Sequence, residues 1–480
     1  MVNVSTTTSD HERHATYTTD RTGLPAGNER VRSAEPVTNS DYFARDRTFW
    51  IPVLYAVPIG LMAGGAGLAF TWTVGRATKW LWPDEVDNGL LGGDLWWLPV
   101  IVGAGLLVGV LRKVLEVPAE PKGALENIAA AQVDKRSAIP MVLVSLVSLV
   151  GGASLGPFDA GTRSGGAIGE WFSDRVKADD ETRKLNALAG MNGAVGGLLT
   201  SPFLGTLLIT ELNPPNGSER YYRQLAPGLV GSVFGFFVVF SFVGATFLDV
   251  FAVPDYDVEI WHFGIAVVLG VIGALLSRLL GATVFLMRGW ATRISNTIVR
   301  AGIGGLAIGL LAVCFPLTLG SGKAQLPEMI AQAEDLGVWV LLGVVGAKIL
   351  AMAISLGTGF IGGPVMPTLF IGGAAGVATH VIVPDLPIAL TLSCLLVAVP
   401  GASIKAPFSM ALLAALTVGV EPTSVAPAGV AVLTAYLLTT GLGLFVSILP
   451  GKTDDPDDSA NVSYQEQLFE LRDTRMPRKR

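Results

Sequence analysis

The feature that most constrains this chain is a glycine-rich stretch that occurs twice. Gly151 to Gly169 reads GGASLGPFDAGTRSGGAIG, too rich in glycine for an ordinary membrane span and too apolar at its edges for a surface loop. It fits a helix broken inside a bilayer, where irregular backbone is tolerated only if it is buried in protein or lines a cavity. Gly156 to Gly169 and Gly363 to Gly376 are identical at six of fourteen positions, four of them glycine, at an offset of 207 residues. Ser201-Pro202-Phe203 with Leu207-Leu208 recurs as Ala406-Pro407-Phe408 with Leu412-Leu413, at an offset of 205. Two matches at nearly one spacing indicate an internal duplication. They predict that residues 137–212 and 338–418 superpose as two inverted repeats.

Composition agrees with a membrane setting. Of 480 residues 51% are hydrophobic and 15% charged, with a mean hydropathy of +0.54, more apolar surface than a soluble core of this length could hide. The 58 glycines suit closely packed and interrupted membrane helices. The net charge of −6 carries little information, because the charges sit mostly in the ends and loops. Cys314 and Cys394 lie in apolar runs and read as small buried hydrophobes. The four histidines are scattered, and the apolar runs hold no zinc-type cluster, Ser/His/Asp set or carboxylate pair. No enzymatic activity, metal, cofactor or nucleic-acid partner is therefore expected.

Along the chain, residues 1–46 read as a disordered polar tail, 47–450 as a transmembrane domain with repeats at about 95–250 and 298–449, and 451–480 as a second polar tail. Spans are expected at Phe49–Trp82, Leu95–Val114, 227–249, 261–288, 298–319, Val338–Ser355 and Val425–Leu449. Trp80, Trp82, Trp96 and Trp97 look like interfacial anchors. The second span stops at Arg112-Lys113 and Lys122, Lys135 and Arg136 follow in one short loop, so the positive-inside tendency puts this loop and both termini in the cytoplasm of a multi-pass cell-membrane protein. Glu170 to Leu185 reads as a short polar segment. Asn186 to Leu208 reads as two short helices, the second capped by Ser201 with Pro202 at its first position. Val397 to Val418 repeats that interrupted pattern. Leu319-Gly320-Ser321-Gly322-Lys323 lacks the spacing and preceding strand of a phosphate-binding loop.

Broken, duplicated segments point to a transport site between the two halves. Helix starts after Gly156-Pro157, Ser201-Pro202, Gly363-Pro364 and Ala406-Pro407 would offer free N–H groups and the positive dipole end, an anion ligand that needs no buried charge. Simple kinks are the alternative reading of each Gly-Pro site; duplication at one spacing argues against it. The amides after Pro157, around Val365 and at the start of the Pro407 helix are expected to line one cavity.

These residues resemble the chloride channel and proton/chloride exchanger (CLC) family over about residues 48–450. The matches are Leu155-Gly156 to Gly169, Asn192-Gly193-Ala194 to Glu211, Gly362-Gly363-Pro364-Val365-Met366-Pro367 and Ala402-Ser403-Ile404-Lys405-Ala406-Pro407. The resemblance implies an all-α polytopic fold of two inverted repeats with broken and re-entrant helices, and homodimers with an anion pathway in each subunit. It places that pathway along Ser154, Gly156, Pro157, Phe158, Asp159, Gly363, Pro364, Val365, Met366, Lys405, Ala406 and Pro407. The departures are as telling. Phe158 stands where the family usually has a gating glutamate, the family's Gly-Ser-Gly-Ile-Pro turn is missing before Ala124, and the inner proton-transfer glutamate falls on Leu212 with Glu211 one residue early. The tyrosine expected beyond the last helix has no match.

Asp159 and Arg163, four apart, would face each other on a helix, and pairing outweighs a role in permeation. Lys405 either draws anions into a vestibule or sits at the interface. The function expected is passage of small inorganic anions, chloride first, through the bilayer without obligatory proton coupling. The alternatives are a proton-coupled exchanger that uses Asp159, and a non-transporting sensor or scaffold.

Overall fold

Apolar runs punctuated by glycine and proline fold here into helices. The computed structural model describes residues 47–82, 97–118, 121–215, 217–251, 253–419 and 421–441; the two terminal tails expected from sequence lie outside them. In chain order the helices are α1 (Arg47–Leu81), α2 (Trp97–Val114), α3 (Ala124–Ala130), α4 (Lys135–Val150), α5 (Phe158–Val176), α6 (Asp180–Leu198), α7 (Pro202–Leu212) and α8 (Ser218–Val243). They continue as α9 (Ile260–Ala291), α10 (Thr297–Cys314), α11 (Gln325–Ala331), α12 (Ala333–Thr358), α13 (Val365–Ile382), α14 (Ile388–Ile404), α15 (Pro407–Thr417) and α16 (Ala426–Gly441). Among the described residues, eight helices are long and apolar enough to cross a membrane.

Both glycine-rich stretches break as their sequence requires: α4 stops at Val150 and α5 starts at Phe158, while α12 stops at Thr358 and α13 starts at Val365. Gly152 and Gly359, again 207 apart, take the left-handed conformation that ends each incoming helix, with φ of 84° and 106°. Ser201 caps α7, its Oγ accepting the Leu204 N–H at 3.3 Å, with Pro202 in the first turn. The polar stretch Glu170 to Leu185 is not a loop. Helix continues to Val176, reverses over Lys177 in a left-handed conformation, and resumes at Asp180, so α6 spans nineteen residues rather than forming a short helix. Asp179 at the cap position and Asp180 and Glu181 in the first turn favour a helix start here. The Thr182 hydroxyl and nearby amides hold the Asp179 carboxyl below its usual range.

The core lies where helices meet with little between them. A Cβ at Gly165 would fall 2.2 Å from the Gly190 carbonyl oxygen, so α5 and α6 touch through their backbones. α13 and α14 are buried along nearly their whole lengths. The α8–α9 connection ties several ends together: Phe247 N–H donates to Thr200 Oγ1 at 3.1 Å, Asp249 N–H to the Leu416 carbonyl at 3.0 Å, and Phe251 N–H to the Thr417 carbonyl at 2.8 Å.

Candidate functional site

The two breaks meet. Gly156 N–H donates to the Gly363 carbonyl at 2.8 Å and Gly363 N–H to the Gly156 carbonyl at 2.7 Å, a reciprocal pair of bonds between the two copies. Around it the same exchange recurs. Ser154 N–H donates to Ser355 Oγ at 3.2 Å, and Ile361 N–H to Ser148 Oγ at 3.1 Å. Each serine hydroxyl in turn donates one turn back, Ser148 to Val144 at 2.8 Å and Ser355 to Ala351 at 2.7 Å. Adding 207 to any residue of the first set gives its counterpart in the second. A two-fold exchange of the halves therefore leaves this network unchanged.

The bridge brings the starts of α5 and α13 across one another. A Cβ at Gly363 would lie 2.7 Å from the Phe158 Cβ and 2.9 Å from the Asp159 nitrogen, and one at Gly156 would lie 2.9 Å from the Met366 Cγ. In α5 the first helical bond runs from Gly161 N–H to the Pro157 carbonyl, and in α13 from Thr368 N–H to the Pro364 carbonyl. The amides of Phe158, Asp159 and Ala160, and those of Val365 and Met366, precede these bonds and have no acceptor within their own helices. Thr162 Oγ1 donates to the Phe158 carbonyl at 2.9 Å and Thr368 Oγ1 to the Val365 carbonyl at 2.8 Å, which tightens each first turn. Ser154 is wholly buried beside the bridge, and its Oγ has no hydrogen-bond partner. Phe158, 2% exposed, fills the space at the α5 start.

The charged candidates sort cleanly. Arg163 Nη2 donates to Asp159 Oδ1 at 3.1 Å within α5, so the spacing of four gives the internal pair it predicts. The same Nη2 donates to the Lys122 carbonyl at 2.7 Å and so pins the chain that leads into α3. Arg112, on α2, donates to the Gly359 carbonyl at 2.9 Å and the Pro118 carbonyl at 2.7 Å. Its positive charge thereby meets the C-terminal end of α12, where the helix dipole is negative. Lys405 ends α14 in a left-handed conformation, φ 66°, with its side chain exposed.

The start of α15 differs from the sequence expectation. Its first amides, Phe408 N–H at 2.9 Å and Ser409 N–H at 2.7 Å, are taken by the Glu211 carboxylate from the end of α7, which also accepts the Ser409 hydroxyl. Helix α15 packs against α7, α14 and α16. Ala406 and Pro407 therefore begin a helix whose first amides already hold a carboxylate from another helix, whereas among the described residues no carboxylate accepts the first amides of α5 or α13, and Asp159 in the first turn of α5 turns to Arg163. Sequence reading also missed the Ser148 and Ser355 clasps. The signal was present: Ser148, Leu149 and Gly152 recur as Ser355, Leu356 and Gly359 at the same offset of 207. Among the described residues no cluster of metal-ligating side chains occurs.

Comparison with known proteins gives concordant results. The family model described as voltage gated chloride channel matches residues 104–440. YfeO of Escherichia coli O1:K1 / APEC, named as a candidate ion-transport protein, is 27% identical over 370 residues, covering 73% of this chain and 84% of its own. The Shigella flexneri YfeO matches to the same extent. Among solved structures, a slow cyanobacterial Cl−/H+ antiporter superposes with a TM-score of 0.69 at 20% identity, over 82% of this chain and 95% of that one. A CLC-type fluoride/proton antiporter gives 0.69 at 18% identity, over 83% and 96%. At these identities the structural likeness speaks to the fold.

Proposed function

Because the chain belongs to the voltage-gated chloride channel family, a family of multi-pass membrane proteins that transport anions, we propose that it passes small inorganic anions, chloride first, without obligatory proton coupling. The observation that carries this reading is the crossing of the α5 and α13 starts with Phe158 at the first position of α5. Amides without acceptors and the positive ends of two helix dipoles suit a small anion. The Ser154 hydroxyl adds a side-chain donor. A carboxylate at position 158 could compete with the anion and leave on protonation, which would link the two movements. Phenylalanine can only narrow the path or raise a dewetting barrier. Asp159, next in the chain, is engaged by Arg163.

We place one such pathway in each subunit of a homodimer, with repeats at about 95–250 and 298–449 and both termini in the cytoplasm. A second reading, the proton-coupled exchanger, is favoured by the antiporter titles of the structural neighbours and by the adjacency of Asp159 to the α5 start. Simultaneous anion and proton flux in liposomes decides between them, using the parent, Phe158→Ala, Phe158→Glu and Asp159→Asn. The expected outcome is chloride flux without proton movement in the parent, and several-fold faster flux in Phe158→Ala. Uphill proton transport in the parent that Asp159→Asn abolishes would establish the exchanger. A folded parent that moves no ion would leave only the sensor or scaffold.

A further inference from the structure

Lys348 lies on α12, seven residues before Ser355, with no exposure to solvent. Its Nζ donates to the Thr318 carbonyl at 2.9 Å and the Gly320 carbonyl at 2.8 Å, and sits 4.7 Å from the centre of the Phe370 ring. All three partners are uncharged. Among the described residues no carboxylate stands within ion-pair distance of it, in contrast to Arg163, whose charge Asp159 neutralises. A lone ammonium at membrane depth is costly, and ionisable residues there ordinarily pair or mark an ion path. A tether alone would need only a neutral donor.

The surroundings of Lys348 are those of the site. Phe370 stands in the second turn of α13. The loop that supplies both carbonyls rests on the α4–α5 break, with Gly320 N–H donating to the Gly152 carbonyl at 3.1 Å and the Leu319 Cδ2 lying 3.4 Å from where a Cβ at Gly152 would be. The ammonium is thus enclosed by α12, α13 and a loop seated on the first break, the elements that converge at Gly156 and Gly363. Seven residues of α-helix place its Cα about 10 Å along α12 from Ser355. The position has no basic counterpart in the first half, since an offset of 207 leads to Met141.

We infer that Lys348 is the fixed cation of the pathway, its charge balanced by the passing anion rather than by a carboxylate of the protein. Helix starts offer only partial charges; Lys348 adds a full one from α12 and sets how tightly a monovalent inorganic anion is held. It acts through the field, as a specificity-determining residue without contact to the ion. This inference rests on the proposed anion passage.

The test compares Lys348→Arg, Lys348→Gln and Lys348→Met in the full chain. Arginine keeps the charge, glutamine keeps a donor for the carbonyls, and methionine keeps only the stem. Chloride affinity is read twice, as the half-saturating concentration for flux in liposomes and by calorimetric titration in detergent, with thermal unfolding measured alongside. Both neutral variants should weaken chloride about tenfold, the size expected if the ammonium acts on the anion across ~10 Å at an effective dielectric of about 20. The arginine variant should restore the parent affinity. Unchanged affinity in a folded neutral variant overturns the inference. So does a set in which only the arginine variant folds, since Lys348 would then serve the fold alone. A parent that moves no chloride counts against transport instead, and the calorimetric comparison still decides the role of Lys348.

Discussion

Asp159 and Arg163 show what a single residue can be asked to do inside this protein. Both are buried, and Arg163 also holds the Lys122 carbonyl. Removing one partner of such a pair leaves an uncompensated charge, at a cost of about 3–5 kcal/mol, while removing both is far milder. Arg163→Met should therefore destabilise the protein more than the double variant Asp159→Asn with Arg163→Met, as read by thermal unfolding in detergent. The pair was legible in the sequence because its members are one helical turn apart. Glu211 was legible only as a misplaced carboxylate, since the amides it binds come 197 and 198 residues later. Local spacing reveals contacts within a helix; a contact made by packing two distant helices leaves no such trace.

At the level of elements, the breaks were readable and some boundaries were not. Glycine and proline mark where α4, α5, α12 and α13 stop and start, because few other residues supply the left-handed turn or the proline-led entrance. The start of α6 escaped the sequence reading because the charges of Glu170 to Leu185 marked only a polar segment, while packing against α5 carries helix through most of it. The clasps at the breaks make a quantitative prediction. Ser148→Ala strands the Ile361 amide and Ser355→Ala strands the Ser154 amide, both in buried surroundings. Each loss should cost about 1–3 kcal/mol, and the two costs should match, because the two-fold exchange relates them. Paired unfolding curves check this; a large cost confined to one half would show that the halves are unequal at their joint.

Over the whole molecule, the helix connections hold many of the basic residues. The α3–α4 and α5–α6 connections share one face, where Asp174 bonds both Lys135 and Arg183. Arg136, Arg175, Lys177 and Lys184 lie in or beside these two connections. Basic residues of short connections favour the cytoplasm. In a Cys314→Ser background, Ala178→Cys should label only from inside the cell and Ala245→Cys, in the α8–α9 connection, only from outside. Labelling of both from one side would refute the orientation.

The reciprocal bonds at Gly156 and Gly363 also bear on how such a chain is made. A ribosome delivers the first break about two hundred residues before its partner. Until then the amides of Ser154 and Gly156 lack the acceptors that the second half supplies. The newborn first half must wait in the membrane with its centre open, at depths where no water is at hand. Such an intermediate is a natural target for quality-control proteases. A chain cut between the halves, in the α9–α10 connection, should be degraded when the first fragment is made alone and rescued when the second is supplied beside it.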